Sequence, residues 1–360
     1  MKLGIVGLPN VGKTTLFNAL TGEKAVTSAY AFTSVTPNVG TVAVPDERLD
    51  YLAAMYDPKK NTPATIEFVD IAGLAKGASR GEGLGNGFLA AIRQTDALLE
   101  VVRCFDNDSL FTEPADAVRD AEALELELIL ADIELMERRL DRARKAAKSG
   151  EKKVKQEVEF LEQFIAHLSD GKPARSFEFS PDELESLSDG GLLSIKPVIY
   201  AANLDEDGYA AKDGNPNYSA LCALAKAGGA EVMPVCARLE EDINDLPPEE
   251  QKEFLDDLGI AERGLTQLIK CSYGLLGYIS FLTAGKDGSA PGRSGKARKR
   301  RKRGKIHSDL ERGFNGGDRS VRRPQGLRQH RGGQGKGAAA FRGKEYVMQD
   351  GDVTNIRFNV

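Results

Sequence analysis

Residues 2–14 read KLGIVGLPNVGKT, and no other stretch restricts the fold of this chain so tightly. A short apolar run leads into Gly7-Leu8-Pro9-Asn10-Val11-Gly12-Lys13-Thr14, which matches GxxxxGK[ST], and TTLFNALTG then follows with helical spacing. Such a loop works between a strand and a helix N-terminus. Its glycines let backbone N–H groups turn inward on phosphates, and the helix dipole adds a favourable field. Lys13 is expected to reach the β- and γ-phosphates and Thr14 to ligate Mg²⁺. The expected nucleotide cradle is Asn10, Val11, Gly12, Lys13, Thr14 and Thr15.

Two further stretches complete a phosphate site. Asp70-Ile71-Ala72-Gly73 ends the apolar run ATIEFV. Asp70 is expected to hold Mg²⁺ through water, and Gly73 to offer its N–H to the γ-phosphate and so to sense hydrolysis. In AFTSVTPNVG, residues 31–40, the hydroxyl of Ser34 is expected to complete the metal shell, with Thr33 as the alternative. Lys13 and Gly73 are therefore the catalytic candidates, and Thr14, Ser34 and Asp70 the metal ligands.

The apolar runs ATIEFV (64–69), ALLEVV (97–102), KPVIYAAN (196–203) and AEVMPVCA (230–237) alternate with helical segments. That order predicts a doubly wound, mostly parallel sheet of α/β class. Between residues 113 and 170 the pattern changes. EALELELILADIELMERRLDRARKAAK is Leu/Ile-periodic and densely charged, SGEKK breaks it, and VKQEVEFLEQFIAHL resumes it. This reads as an antiparallel hairpin with a coiled-coil-like seam, inserted between two strands. From about residue 275, YISFLTAG, IHSDLERGF and GKEYVMQDGDVTNIRFNV suggest a strand, a short helix and two strands around an Asp-Gly turn. The expected domains are 1–112 with 190–274 for the nucleotide, 113–189 for the hairpin, and 275–360 for a small α+β module.

A chain of 360 residues can bury two or three cores. No apolar run of membrane-spanning length occurs, and the start is not that of a secretory signal. Cys104, Cys222, Cys236 and Cys271 are scattered with no CxxC. That argues against a disulfide framework or a zinc site and suits a reducing cytoplasm. The formal charge of −5 hides an acidic middle, residues 100–260, and a basic stretch, residues 290–342.

GLPNVGKTTLFNALTG, FTSVTPNVG, DIAGLAKGASRGEGLGN, VVRCF and GKEYVMQDGDVTNIRFNV together resemble the YchF family, Obg-like ATPases of the translation-factor class of GTPases. The resemblance implies a P-loop G domain, an inserted helical hairpin and a C-terminal TGS domain. It also implies Mg²⁺-dependent hydrolysis with ATP accepted or preferred over GTP, and a cytoplasmic protein that associates with ribosomes. It places Asn203, Leu204, Glu206, Cys236 and Ala237 around the base. Guanine readers usually carry Asn-Lys-x-Asp, whereas this chain has Asn203-Leu204-Asp205-Glu206. An Asp carboxylate accepts two hydrogens from guanine, a fit lost when a methylene is added. Leu204 then offers an apolar surface indifferent to the base, and guanine selectivity is expected to be lost.

Leu74 stands where many GTPases place a water-orienting Gln, and DNDSLFTEP follows VVRCF where family members often carry His. Slow intrinsic turnover is expected, resting on Lys13, Mg²⁺ and loop N–H groups, with Asn10 helping to place a monovalent cation such as K⁺. Arg80, in the Gly-rich stretch after Leu74, reads as solvent-facing. The partners expected are ATP or GTP and the ribosome or a subunit, with RNA contact and without a membrane. Two other classes fit the sequence: an RNA- or ribosome-binding adaptor with a mainly structural nucleotide site, and a scaffold that binds protein through its hairpin.

APGRSGKARKRRKRGK (290–305) and NGGDRSVRRPQGLRQHRGGQGKGAAAF (315–341) depart from the family pattern. Both have the Arg/Gly-rich look of a GC-rich gene read off-frame, between flanks that keep the TGS resemblance. The module is expected to lose core strands over these two stretches and to be disrupted there.

Overall fold

A computed structural model describes residues 2–22, 37–58, 61–72, 85–107, 111–147, 151–187, 191–258, 260, 262–275, 277–283, 290–295, 314–320, 339–342 and 349–358, with the backbone course alone for 290–295, 314–320, 339–342 and 353–358. The chain starts with β1 (Lys2–Val6), α1 (Lys13–Thr21), β2 (Asn38–Ala43), α2 (Glu47–Tyr56), β3 (Thr65–Asp70), α3 (Gly85–Arg93) and β4 (Ala97–Arg103). Helices α4 (Ala117–Ala146), α5 (Lys152–Ser169) and α6 (Pro181–Ser186) come next. Then follow β5 (Val198–Asn203), α7 (Glu206–Ala210), α8 (Pro216–Gly228), β6 (Glu231–Val235), α9 (Ala237–Asp245), α10 (Pro248–Asp257) and α11 (Gly264–Leu275). The last strands are β7 (Tyr278–Thr283), β8 (Ala290–Gly295), β9 (Phe314–Ser320), β10 (Ala339–Arg342) and β11 (Val353–Phe358).

The first sheet has the order β2-β3-β1-β4-β5-β6, and β1 pairs in parallel with both β3 and β4. Strands β4, β5 and β6 continue in parallel. The near-continuous apolar character of β1, β4 and β5 is what a parallel strand covered on both faces requires. The register sets Asp70 beside Ile5 and Arg103 beside Asn203, so the site residues lie along the C-terminal edge of the sheet. Ligands of open α/β sheets bind at this edge.

Helix α4 carries two apolar stripes. Ala117, Ala121, Leu124, Leu128 and Ala131 join the core that covers β4 and β5. Ile129, Ile133, Met136, Leu140 and Ala143 join a second core with Val158, Leu161, Ile165 and Leu168 of α5. Each stripe steps by four and three residues, the heptad spacing, and the second is rotated to another face. Phe160 and Phe164 widen the second core, where Phe177 and Phe179 meet them edge-on. Ion pairs Arg139–Glu157 and Arg144–Glu162, each 2.8 Å, join α4 to α5.

Asp132 lies where one stripe gives way to the other and is 0% exposed. Its carboxylate accepts the N–H groups of Leu193 and Ser194, each at 2.8 Å, and the Ser194 hydroxyl at 2.6 Å. Asp132→Ala strands three buried donors and is expected to cost about 2–4 kcal/mol. Urea unfolding checks this, and Asp132→Asn, which keeps an acceptor, is expected to cost less.

Two compact units result, one from residues 1–42 and 67–268, the other from residues 43–66 and 269–360. This corrects the expected boundaries in two places. The helical insertion is not a unit apart, because the first stripe of α4 is built into the sheet core. Residues 43–66 group with the C-terminal residues, because Leu49 and Leu52 share a core with Leu282 and Arg48 forms a 2.7 Å ion pair with Asp350.

The second unit holds a five-stranded mixed sheet in the order β10-β9-β11-β7-β8. Strand β11 runs parallel to β7 and antiparallel to β9, while β8 is antiparallel to β7. The Asp-Gly turn lies at Asp350-Gly351, where Gly351 has φ 78°. The expectation of lost strands is corrected over 290–295, 314–320 and 339–342, which all pair in this sheet. Ladder hydrogen bonds come from the main chain, so a strand edge can recruit residues whose side chains carry no strand pattern. The remainder of both basic stretches, and the helix expected at IHSDLERG, lie outside the described residues. Among the described residues no helix is long and apolar enough to cross a membrane.

Candidate functional site

The loop between β1 and α1 is held in a shape that few sequences permit. Gly7 has φ 148°, and a Cβ there would lie 2.5 Å from the Val101 carbonyl oxygen. Gly12 has φ 98°, and a Cβ there would lie 2.4 Å from Asn203 Nδ2. Asn10 adopts φ 63°, a left-handed conformation that Asn tolerates better than most side chains.

Lys13 opens α1 and is 8% exposed, with its ammonium donating to the Leu8 carbonyl at 2.7 Å. Burial lowers its pKa to about 8, against the opposing pull of Asp70. Thr14 Oγ1 donates to Asp70 Oδ2 at 3.0 Å. Burial raises the Asp70 carboxyl above its ordinary range, while the Thr14 hydroxyl, the Lys13 ammonium and the Asn38 side chain pull it back. Two hard oxygen atoms 3.0 Å apart fit adjacent corners of an octahedron with metal–oxygen bonds of about 2.1 Å, so the donor set suits Mg²⁺. Thr15 is half-buried on the first turn of α1.

Asn203, at the end of β5, ties three segments together. Its Nδ2 donates to the Val11 carbonyl at 2.9 Å, and its Oδ1 accepts the Ala237 N–H at 3.0 Å. The side chain thereby locks the phosphate loop to the N-terminus of α9, where Cys236 is the cap and Ala237 the first helical residue. Both are buried, and burial raises the Cys236 thiol pKa. Glu206 is exposed at the start of α7, which Asp205 caps by accepting the Gly208 N–H at 2.8 Å. Leu204 differs from expectation. It is 2% exposed and packs in the core around β4, β5 and α8 rather than forming an open platform. An isobutyl group gains more from that core than from a polar base edge.

The structure thus brings Val11, Gly12, Lys13, Thr14, Asp70, Asn203 and Ala237 together. Ser34, Thr33, Gly73, Leu74 and Arg80 lie outside the described residues. After VVRCF, where the family often has His, Arg103 stacks on the Phe111 ring at 3.8 Å and donates to the Glu113 and Pro114 carbonyls. Sequence reading missed Asn38 as a partner of Asp70, and missed Asn18 and Asn244, which tie α1 to α9 through Glu241 and the Ala19 carbonyl. Asn38 sits inside the quoted stretch AFTSVTPNVG, but nothing in its neighbours marks it. The α1–α9 ties span more than 220 residues and leave no local signal.

A parallel sheet with this loop, and with an acidic residue closing the strand beside it, defines the P-loop nucleoside triphosphate hydrolases. Residues 2–138 match the family model described as 50S ribosome-binding GTPase, and residues 278–359 match YchF-GTPase_C, described as a protein of unknown function (DUF933). The chain is 45% identical to the ribosome-binding ATPase YchF of Bacillus subtilis, covering 99% of each chain. It is 42% identical to that of Escherichia coli O157:H7, covering 100% of this chain and 99% of the relative. The solved structure of the Schizosaccharomyces pombe YchF GTPase superposes with a TM-score of 0.82 at 31% identity, covering 99% of this chain and 97% of that one. The chain belongs to the YchF family.

Proposed function

We propose that this chain is a Mg²⁺-dependent nucleoside triphosphatase that accepts ATP at least as well as GTP and works in the cytoplasm at the ribosome. The observation that carries the reading is the convergence of Lys13, Thr14 and Asp70 beneath a loop locked by Asn203. Thr14 and Asp70, with Ser34, would hold Mg²⁺, which when bound neutralises phosphate charge. Lys13 would exchange the Leu8 carbonyl for phosphate oxygens, and Gly73 would supply an N–H to the terminal phosphate. Asn10, Val11, Gly12 and Thr15 complete the cradle, with Asn10 helping to place K⁺. Such a site relies on positioning and charge, so turnover is slow until a partner completes it.

At the base, Asn203, Cys236 and Ala237 form the wall, with Leu204 acting as the packing beneath it. Glu206 replaces the Asp that reads guanine. The ribosome enters from the relatives' name, ribosome-binding ATPase YchF. In this reading residues 1–42 and 67–268, with the α4–α5 hairpin built into their core, bind nucleotide, and the second unit, residues 43–66 and 269–360, supplies ribosome or RNA contacts.

Calorimetric titration with Mg·ATP and Mg·GTP side by side tests the reading. The expected result is ATP binding as tight as GTP or tighter. Glu206→Asp is expected to shift the ratio towards GTP, by an amount on the scale of about 1.4 kcal/mol per tenfold. GTP binding more than about tenfold tighter than ATP in the parent chain would overturn the base assignment.

A further inference from the structure

We infer that the second unit carries a binding site for an arginine side chain presented by a basic protein segment, in a cavity of about 480 Å³ at the start of α2. This site stands independently of the nucleotide reading. All of its walls come from residues 43–66 and 269–360, so it is complete within that unit. The start of α2 forms one wall, the last turn of α11 a second, and β7 with the Asp350 turn the remainder. The volume lies in the range of sites that take a small ligand. Glu47, Lys270 and Gly274 are exposed on its walls, so a side chain can enter from solvent while its backbone stays outside.

The charges of the lining select a cation. Three carboxylates, Asp46, Glu47 and Asp350, stand against two cations, Arg48 and Lys270, an excess of one negative charge. Arg48 is already engaged on two sides. Asp46 accepts from its Nε and Nη2 at 2.8 and 2.7 Å, and Asp350 accepts from its Nη1 at 2.7 Å. Asp46 also caps α2 by accepting the Arg48 N–H at 3.0 Å, so the positive end of that helix is met from within the chain. Asp350 keeps capacity to spare. One oxygen accepts Arg48 Nη1 and the other the Ser280 N–H at 2.8 Å, while a carboxylate offers about four acceptor positions. Its side chain is 55% exposed and is fixed in place by those two bonds. The C-terminal turn of α11, with Tyr273 and Gly274, adds the negative end of a helix dipole.

Two tyrosines decide which cation. The Tyr273 and Tyr278 rings lie 6.1 Å apart at 35°, and both line the cavity. Tyr273 is buried, and its hydroxyl accepts from Ser280 Oγ at 3.1 Å, which fixes its ring; Tyr278 is half-buried. Aromatic faces attract cations, and a planar guanidinium stacks on them better than an ammonium does. The same fork of donors meets a carboxylate with two parallel hydrogen bonds, which suits the spare acceptors of Asp350. Among the described residues no group of acidic, Cys or His side chains is placed to hold a metal ion, so an organic cation fits where a bare one does not. A nucleic-acid phosphate would meet the excess negative charge and is disfavoured. The cavity therefore gives the second unit a protein-reading site: arginine stacked on Tyr278 and bonded to Asp350, with Glu47 at the mouth.

The experiment titrates the full chain with capped tripeptides Gly-Arg-Gly, Gly-Lys-Gly and Gly-Gln-Gly, followed by saturation-transfer NMR of the peptide signals. The arginine peptide is expected to bind with Kd on the order of 1 mM, the lysine peptide about threefold more weakly, and the glutamine peptide not measurably. Tyr278→Ala should weaken the arginine peptide about fivefold, and Tyr278→Phe, which keeps the ring, should stay within about twofold. Glu47→Gln, at an exposed position that leaves the fold intact, should weaken it about threefold, and more salt should erase that difference. Equal binding of the glutamine peptide would overturn the site, as would Tyr278→Ala and Glu47→Gln chains that bind like the parent, or no binding of the arginine peptide at about 10 mM. Spermidine binding more tightly than the arginine peptide would assign the cavity to a free polyamine and overturn the protein segment. Displacement of the peptide by a short single-stranded RNA, with Glu47→Gln strengthening the RNA, would assign it to nucleic acid instead.

Discussion

Lys13→Met is expected to melt higher than the parent chain at pH 7 and to bind triphosphate about a hundredfold more weakly or worse. Both effects have one cause. The ammonium is buried with a single carbonyl, Leu8, as its recorded hydrogen-bond acceptor, and burial lowers its pKa from 10.5 to about 8. At about 1.4 kcal/mol per tenfold, that drop corresponds to about 3 kcal/mol of folding stability forgone to keep the cation ready. The cost is fully present below pH 8, fades as pH rises from 8 towards 10.5, and is gone above. Thermal melts of parent and variant should therefore converge over that window, while triphosphate affinity stays low in the variant throughout. A variant that melts lower than the parent at pH 7 would show that Lys13 stabilises the fold.

Asn203→Ala is expected to lose about 2–4 kcal/mol of stability and to weaken nucleotide binding about tenfold or more. The side chain is buried, and its removal leaves the Val11 carbonyl and the Ala237 N–H without their partner. It also unlocks the phosphate loop from α9, so two walls of the site lose their common reference. Gly12→Ala attacks the same contact from the other side, because its Cβ would fall 2.4 Å from Asn203 Nδ2. Urea unfolding and titration of both single variants and the double variant should show a combined loss smaller than the sum, as for residues that share one contact.

Much of this was legible in the sequence because it is encoded locally. A phosphate loop needs glycine at positions of forbidden φ and Lys-Thr at a helix start, and Gly7, Gly12, Lys13 and Thr14 stand there. The apolar runs ending at Val69, Val102, Asn203 and Ala237 became β3, β4, β5 and β6; β4 and β5 are buried along their whole length, as strands covered on both faces must be, while β6 lies at the sheet edge. The Leu/Ile period became α4 and α5, although the two rotated stripes of α4 could not be separated until the partners of each were known. Leu204 holds a motif position that faces the base in guanine readers; that a leucine there turns inward depends on a core drawn from β4, β5 and α8, which no local pattern reports. Asn38 and Arg48 were silent for the same reason. One finds its partner 32 residues away and the other 302, and no local pattern reports such distances. Ser34 and Gly73, named from motif spacing, lie outside the described residues.

The divided C-terminal unit also bears on how the chain is made. Synthesis delivers residues 43–66 early, but their partners in residues 269–360 arrive last. Until then the apolar face of Leu49 and Leu52 has no Leu282 to cover it, and Arg48 waits for Asp350. Domains usually fold as units from the N-terminus during translation. Here a unit whose first part is made within the first 66 residues cannot close until residue 282 has followed, and a ribosome stalled before residue 282 would release a chain with an exposed, sticky segment inside its N-terminal quarter. Closing a loop of this length costs more entropy than any local contact, so the final step of folding should be the slow one.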